Sequence, residues 1–365
     1  MRKTRNKKQK ERGDRGLFLL TCLLTFLGLV AVADASAPQA LSLFSDKFYF
    51  VKQQAVWAVA GLVSLLILSR IHYSFWGKVA TVFFIVNLIL LVIVLIPGIG
   101  FKALGARRWI YAGPISFQPS ELMKLSFVIY LAKVASSQKR FFSYFIPLGL
   151  VGLLIMLQPD LGTTLIIAAT SMSQIFLAGI NIFYFSLAAI ASAILVLPVI
   201  IFSDYRKQRL LSFLQQTKDP LGADYHIRQV LLALGSGGLL GVGLGQSRQK
   251  YLFLPESATD SIFAIIAEEV GFAGAMVVVC LFAFFIYKGI SIVARAPDKF
   301  SQVLACGIVA WIGWQAVLNI GSMVALVPLT GIPLPFFSYG GSSLTVILSS
   351  VGILLNISRY ASNKT

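Results

Sequence analysis

Apolar residues run along this chain in blocks of about twenty, the length an α-helix needs to cross a hydrocarbon core. The blocks lie near 17–33, 51–70, 78–97, 118–136, 142–157, 160–179, 181–202, 260–288, 301–327 and 341–358, separated mostly by short polar stretches. The pattern predicts an all-α polytopic membrane protein with ten transmembrane helices. An even count puts both termini on one side. The first block follows a basic region, as a secretory signal would, but it is longer than a signal core and Pro38 disfavours cleavage after Ala37. It is expected to remain as an uncleaved first span. The organisation expected is a basic tail over 1–16, one membrane domain over 17–358 with a large loop over 203–259 between helices 7 and 8, and a short tail over 359–365.

Composition agrees with this reading, because 57% hydrophobic residues, 12% charged residues and a mean hydropathy of +0.83 leave too few charges to solvate a globular surface. The net charge of +17 would suggest nucleic acid in a soluble chain. Here about a quarter of the cations crowd MRKTRNKKQKERGDR at the start, which suits a tail facing anionic membrane lipid, and no nucleic-acid partner is expected. Cys22, Cys280 and Cys306 lie in apolar runs far from His72 and His226, so neither a disulfide nor a zinc site is expected.

Lysine and arginine set the orientation. Termini in the cytoplasm put 18 cations inside, against five in the two short outer loops and seven in the long loop, which weighs little in the rule. The outer face then receives GIGFKALGARRWIYAGPISFQPS, the stretch ending at Asp260, and PLTGIPLPFFSYGG. Chemistry is expected there, where neither ATP nor nucleotide sugars are available as donors.

Four polar features mark candidate chemistry. Glu121 and Lys124 in FQPSELMKL stand one helical turn apart after Pro119, as a structural ion pair or an intramembrane functional pair. Asp160 in QPDLG reads as a helix N-cap. Trp311, Gln315 and Asn319 form a stripe of period four, best explained by interhelical hydrogen bonds. The run GSGGLLGVGLG lacks a phosphate-loop pattern and reads as a segment dipping to the membrane surface, with Arg248 and Lys250 beyond it as cations for a diphosphate.

The stretch LPESATDSIFAIIAEE gathers Glu256, Asp260, Glu268 and Glu269, four of only 14 acidic residues. Ser257 and Asp260 fit a capping pattern. On an unbroken helix Glu269 would lie about 13 Å deeper than Asp260 and out of phase with it, too far for the close carboxylate pair of a retaining glycosidase. A single outer carboxylate is sufficient for displacement at a sugar carbon that already carries a diphosphate. Such a leaving group needs cations, and only the attacking hydroxyl needs a base.

The motifs GARRWI, FQPSELMKL, QPDLGTT, DPLGADYHIRQVLLALGSGG, LPESATDSIFAIIAEEVGF and PLTGIPLPFFSYGGSS, in this order, resemble the SEDS family of peptidoglycan glycosyltransferases that includes FtsW, RodA and SpoVE. GVGLGQSRQKYLFLPES is most similar to the FtsW branch. The resemblance implies polymerisation of lipid II, a disaccharide-pentapeptide on undecaprenyl diphosphate, at the outer face of the bacterial cytoplasmic membrane. It implies Asp260 as the catalytic base, with a class B penicillin-binding protein and other division proteins as partners at the septum. It carries Arg108, Trp109, Glu121 and Lys124 into the substrate site, where they join Arg248 and Lys250, and adds Ser338, Gly340, Gly341 and Ser342 from the last motif. No organic cofactor is implied; a divalent cation, magnesium or manganese, is the one candidate. Two positions depart from the family's usual HTDF, with Ala258 in place of the histidine and Ser261 in place of the aromatic residue. A lipid II flippase, a RodA-like elongation polymerase and a noncatalytic scaffold are the alternatives.

Overall fold

The structure, a computed structural model, describes residues 13–361 apart from 104–105, 114, 138–140, 182, 184, 187–222 and 252. In chain order the helices are α1 (Arg15–Ala35), α2 (Ala37–Phe44), α3 (Tyr49–Leu68), α4 (Ser74–Ile93), α5 (Pro119–Ser136), α6 (Phe142–Leu157), α7 (Leu161–Ala178), α8 (Ala223–Gly237), α9 (Ile262–Arg295), α10 (Lys299–Met323) and α11 (Gly341–Ser358). Among the described residues, seven of these are long and apolar enough to cross a membrane. Two more, α5 with its charges and the shorter α6, coincide with expected blocks. The block near 181–202 lies almost wholly outside the described residues, as do the basic tail through residue 12 and the loop over 203–222. The chain is thus a mostly helical, multi-pass membrane protein.

One element corrects the all-α expectation. Between α4 and α5 the chain forms a three-stranded antiparallel sheet, β1 (Gly100–Ala103), β2 (Ala106–Ala112) and β3 (Ile115–Phe117). Phe101 faces Trp109 across β1 and β2, and Ile110 faces Phe117 across β2 and β3. The segment is rich in aromatic and branched residues that favour strands, and Gly113 takes φ 65° at the turn.

Helices α10 and α11 form the buried centre of the bundle. Small residues let α3 close on α11, since a Cβ on Gly352 would come within 2.6 Å of the Leu65 carbonyl oxygen and Ser64 Oγ lies 2.7 Å from Ser349 Oγ. The segment before α11 turns back into the bundle. Its Phe336 carbonyl abuts Gly28 of α1, seven residues or about 10 Å below the end of that helix. Phe336 and Phe337 are buried there, with ring centroids 5.8 Å from Phe285 and 5.9 Å from Phe282 respectively.

Helix α9 is broken at Gly271, whose φ of 68° and ψ of −172° interrupt the helix and are open essentially to glycine alone. The donors freed at the break find partners in the segment after α8: Phe272 N–H donates to the Gly238 carbonyl and Ala273 N–H to the Leu239 carbonyl. In return, Val242 and Gly243 N–H donate to the carbonyls of Glu268 and Glu269. A Cβ at Gly271 would lie 2.3 Å from Gly241 N and 2.6 Å from Leu239 O, both backbone atoms. Gly271→Ala is therefore expected to cost on the order of 2–3 kcal/mol through strain and lost contacts. A fall in thermal unfolding temperature of the detergent-solubilised protein would report it, and an unchanged temperature would mean that the break is not required.

Candidate active site

The site is assembled around the turn that leads into α9. Helix α9 begins at Ile262 with Ser261 as its N-cap, and the Ser261 side chain makes no capping hydrogen bond. The helix thus starts later than the Ser257–Asp260 capping pattern implied. Instead, the backbone of 258–260 is stitched to the re-entrant segment before α11. Tyr339 N–H donates to the Ala258 carbonyl at 2.8 Å, Ser338 Oγ donates to the Thr259 carbonyl at 2.5 Å, and Asn319 Nδ2 donates to the Asp260 carbonyl at 2.8 Å. The same Asn319 amide donates to the Ile332 carbonyl at 2.7 Å. The carboxylate itself is half-buried against Gly331, where an added Cβ would stand 3.3 Å from Asp260 Oδ2. Gly331, with φ 68°, places no side chain against that oxygen.

Beneath lies the buried pair. Lys124 Nζ is 2.9 Å from Glu121 Oε1, with both side chains almost fully enclosed. Lys124 also donates to Gln315 Oε1 at 3.1 Å and sits 5.0 Å from the centroid of the Trp311 ring. Trp311 Nε1 donates to the same Gln315 oxygen, and Gln315 Nε2 donates to the Pro333 carbonyl. The stripe on α10 therefore carries a continuous run of polar contacts from the Glu121–Lys124 pair, through Gln315, to the segment that holds Asp260. Glu121 Oε2 is buried without a hydrogen-bond partner, so the pair retains capacity for one more donor.

The other predicted residues fall into distinct places. Arg108 on β2 donates from Nε to the Gln158 carbonyl at 3.0 Å and from a terminal nitrogen to the Pro159 carbonyl. Asp160 caps α7, its carboxylate accepting from Thr163 N–H and Thr163 Oγ1, so the cap and Arg108 fix one turn between them. Trp109 is half-buried beside Arg108. Ser338 is buried, accepting from Leu334 N–H while it braces Thr259. Gly340 N–H donates to Gln54 Oε1, Gly341 leaves no room for a Cβ against the Trp57 ring, and Ser342 Oγ donates to the Ser116 carbonyl on β3. These four join α3, the sheet and α11 around the site.

The two basic residues offered for a diphosphate part company. Arg248 is exposed. Lys250 is buried, with Nζ 2.7 Å from Asp34 Oδ1 on α1 and 2.8 Å from Glu269 Oε1 on α9. Burial pulls the Lys250 pKa down, but the hydrogen bonds and charges of Asp34 and Glu269 outweigh it and leave it above the ordinary lysine value. Glu268 accepts from Ser247 Oγ at 2.5 Å and from Arg248 N–H, and Glu269 also accepts from Ser247 N–H. Glu268 and Glu269 thus organise the 247–250 turn, while Glu256 turns to Thr259 Oγ1 at 2.7 Å. The four acids divide into separate environments.

Asp34 and His226 escaped the sequence reading. Asp34 ends an apolar run and its lysine partner is 216 residues away, so no local pattern marks it. His226 on α8 lies 2.7 Å from Ser261 Oγ, next to Asp260. Its only signal was its place in DYHIRQ. Among the described residues, no three His, Cys, Asp or Glu side chains converge on a metal position.

Comparison with known proteins now decides the family. The profile of the FtsW, RodA and SpoVE family, described as cell cycle protein, matches residues 14–363. The chain belongs to this family. Stage V sporulation protein E of Bacillus subtilis (strain 168) is 43% identical over 97% of this chain and 99% of its own length. A protein of Geobacter metallireducens named "Probable peptidoglycan glycosyltransferase FtsW" is 38% identical over 97% of this chain and 96% of its own. Among solved structures, a chain from a peptidoglycan synthase complex, solved for the structural coordination of polymerization and crosslinking, superposes with a TM-score of 0.78 at 27% identity, covering 95% of this chain and 98% of that one. The rod shape determining protein RodA of Thermus thermophilus gives a TM-score of 0.71 at 26% identity over 96% and 98%. The FtsW, RodA and SpoVE fold thus extends over nearly the whole chain.

Proposed function

We propose that this protein is a peptidoglycan glycosyltransferase that polymerises lipid II at the outer face of the bacterial cytoplasmic membrane, with both termini inside and ten spans. The observation that carries the reading is the placement of Asp260: one half-buried carboxylate at the mouth of α9, its backbone bound by Asn319 and its neighbours by Ser338 and Tyr339. Relatives named for peptidoglycan glycosyl transfer support the substrate class.

In this mechanism Asp260 removes the proton from the acceptor sugar's 4-hydroxyl. That oxygen attacks the donor's anomeric carbon, the bond from that carbon to the diphosphate oxygen breaks, and the lipid diphosphate leaves with the electron pair. The configuration inverts. Arg248, exposed beyond the glycine run, is the cation for the leaving diphosphate. Lys250, committed to Asp34 and Glu269, acts by positioning. The Glu121–Lys124 pair and the Gln315–Asn319 stripe hold the re-entrant segment beneath the base. Arg108 and Trp109 shape the outer wall, and Ser338, Gly340, Gly341 and Ser342 frame it from the α11 side. A class B penicillin-binding protein crosslinks the strands, and the FtsW-named relatives favour septal deployment.

Purified protein reconstituted with lipid II and such a partner is expected to form glycan strands resolvable by gel electrophoresis. Lipid translocation without strands would replace the polymerase with a flippase, and neither activity would reduce the protein to a scaffold.

A further inference from the structure

The glycine run after α8, read from the sequence as a segment dipping to the membrane surface, carries side chains that are wrong for water. Leu239, Leu240 and Leu244 are 75%, 84% and 77% exposed, and Val242 is 43% exposed. The backbone of the same segment is engaged, through its bonds to Phe272, Ala273, Glu268 and Glu269 at the break in α9 and a bond from Gly241 N–H to the Gly237 carbonyl. The N–H groups of 241–243 and the carbonyls of 238 and 239 are thus bonded to protein, while the leucines face outward. That is the arrangement tolerated where non-helical chain meets hydrocarbon.

Position along α9 gives the depth. Lys288 Nζ lies 3.7 Å from Asp14 Oδ2 at the start of α1, which marks the cytoplasmic end of both spans in the orientation proposed above. Phe272 is 16 residues higher on the unbroken lower part of α9, or about 24 Å at 1.5 Å per residue. A hydrocarbon core about 30 Å thick still surrounds that level. The leucines also continue an exposed apolar stripe on α9 itself, through Phe272, Met276 and Val277. At the far end of the segment the chain turns polar and aromatic, with exposed Gln246, Arg248 and Tyr251, the residue types that favour headgroup level.

We infer that residues 238–245 form a re-entrant loop whose leucines are inserted among the acyl chains of the outer leaflet. The occupant of this face is lipid. Together with the proposed reaction, on which this last step rests, the insertion holds the mouth of α9 at the level where a lipid-linked diphosphate lies.

The test uses the full chain with Cys22, Cys280 and Cys306 replaced by alanine. Leu240→Cys, Leu244→Cys or Glu256→Cys is introduced singly and labelled with bimane, and each protein is reconstituted in phosphatidylcholine and phosphatidylglycerol vesicles. Labels at 240 and 244 are expected to lose emission to phospholipids brominated along the acyl chain and to keep it in aqueous iodide. The label at 256 is expected to behave in the opposite way and shows that the protein is folded and oriented. Iodide quenching at 240 and 244 would overturn the inference by placing the loop in water. Protection from both quenchers would overturn it by showing that protein, from a second copy or a partner, covers the leucines. Because the readout is fluorescence, its failure is independent of failure of the polymerase reading.

Discussion

Lys250→Met is expected to be among the most damaging single substitutions outside the reacting centre. The lysine is the only cation seen between Asp34 and Glu269 among the described contacts, and its own side chain is 4% exposed. Methionine fills a similar volume but leaves two carboxylates facing each other without it. Removing one partner of a buried ion pair typically costs 3–5 kcal/mol, roughly a third or more of a domain's whole stability. The lysine also ties α1 to the upper part of α9, the segment that begins two residues after Asp260. Movement of that segment by about 1 Å would cost on the order of a hundredfold in rate. Loss of both thermal stability and strand formation is therefore expected.

The pH dependence of this pair has a definite sign. The Lys250 pKa is raised in the folded protein, so its contribution is fully present below the ordinary lysine value and is lost only as pH rises through the folded value. Wild-type protein is thus expected to hold this stabilisation throughout the neutral range and lose it in strong alkali. For Lys250→Met, acidification neutralises a carboxyl and relieves the repulsion, so the gap from wild type should narrow as pH falls. A gap that widens on acidification would contradict this account of the cluster.

The second large effect is expected at Asp260. Asparagine keeps the shape of the side chain and can donate or accept a hydrogen bond, but it cannot take a proton from a sugar hydroxyl at neutral pH. The site's observed brackets hold the backbone: Asn319 binds the Asp260 carbonyl, Ser338 the Thr259 carbonyl, and Tyr339 the Ala258 carbonyl. None of these bonds depends on the carboxylate. Asp260→Asn should therefore leave folding and membrane insertion unchanged while removing the general base, a loss of about 10²–10⁴-fold or more.

What the sequence revealed depended on whether the cause was local. Apolar blocks mark spans because length and hydropathy are properties of one segment, and nine of the blocks coincide with helices among the described residues. The Glu121–Lys124 pair and the Asp160 cap were legible for the same reason, since their partners lie three residues away. The assembly around Asp260 was not. Its turn looked like a capping box, yet tertiary bonds from α10 and the re-entrant segment fix it while the helix starts two residues later. The role of Lys250 was hidden because its partners come from α1 and from an acid 19 residues on. The break in α9 was also illegible, because Gly271 resembles any other glycine in an apolar run. Only the docked 238–243 segment explains its backbone conformation.

The most direct test compares purified wild-type and Asp260→Asn protein, each reconstituted with lipid II and the same class B partner. Circular dichroism and size-exclusion profiles should coincide for the two proteins. Glycan strands should form with wild type and be absent with the variant. Strands of normal length and yield from well-folded Asp260→Asn protein would contradict the central claim that this carboxylate is the base.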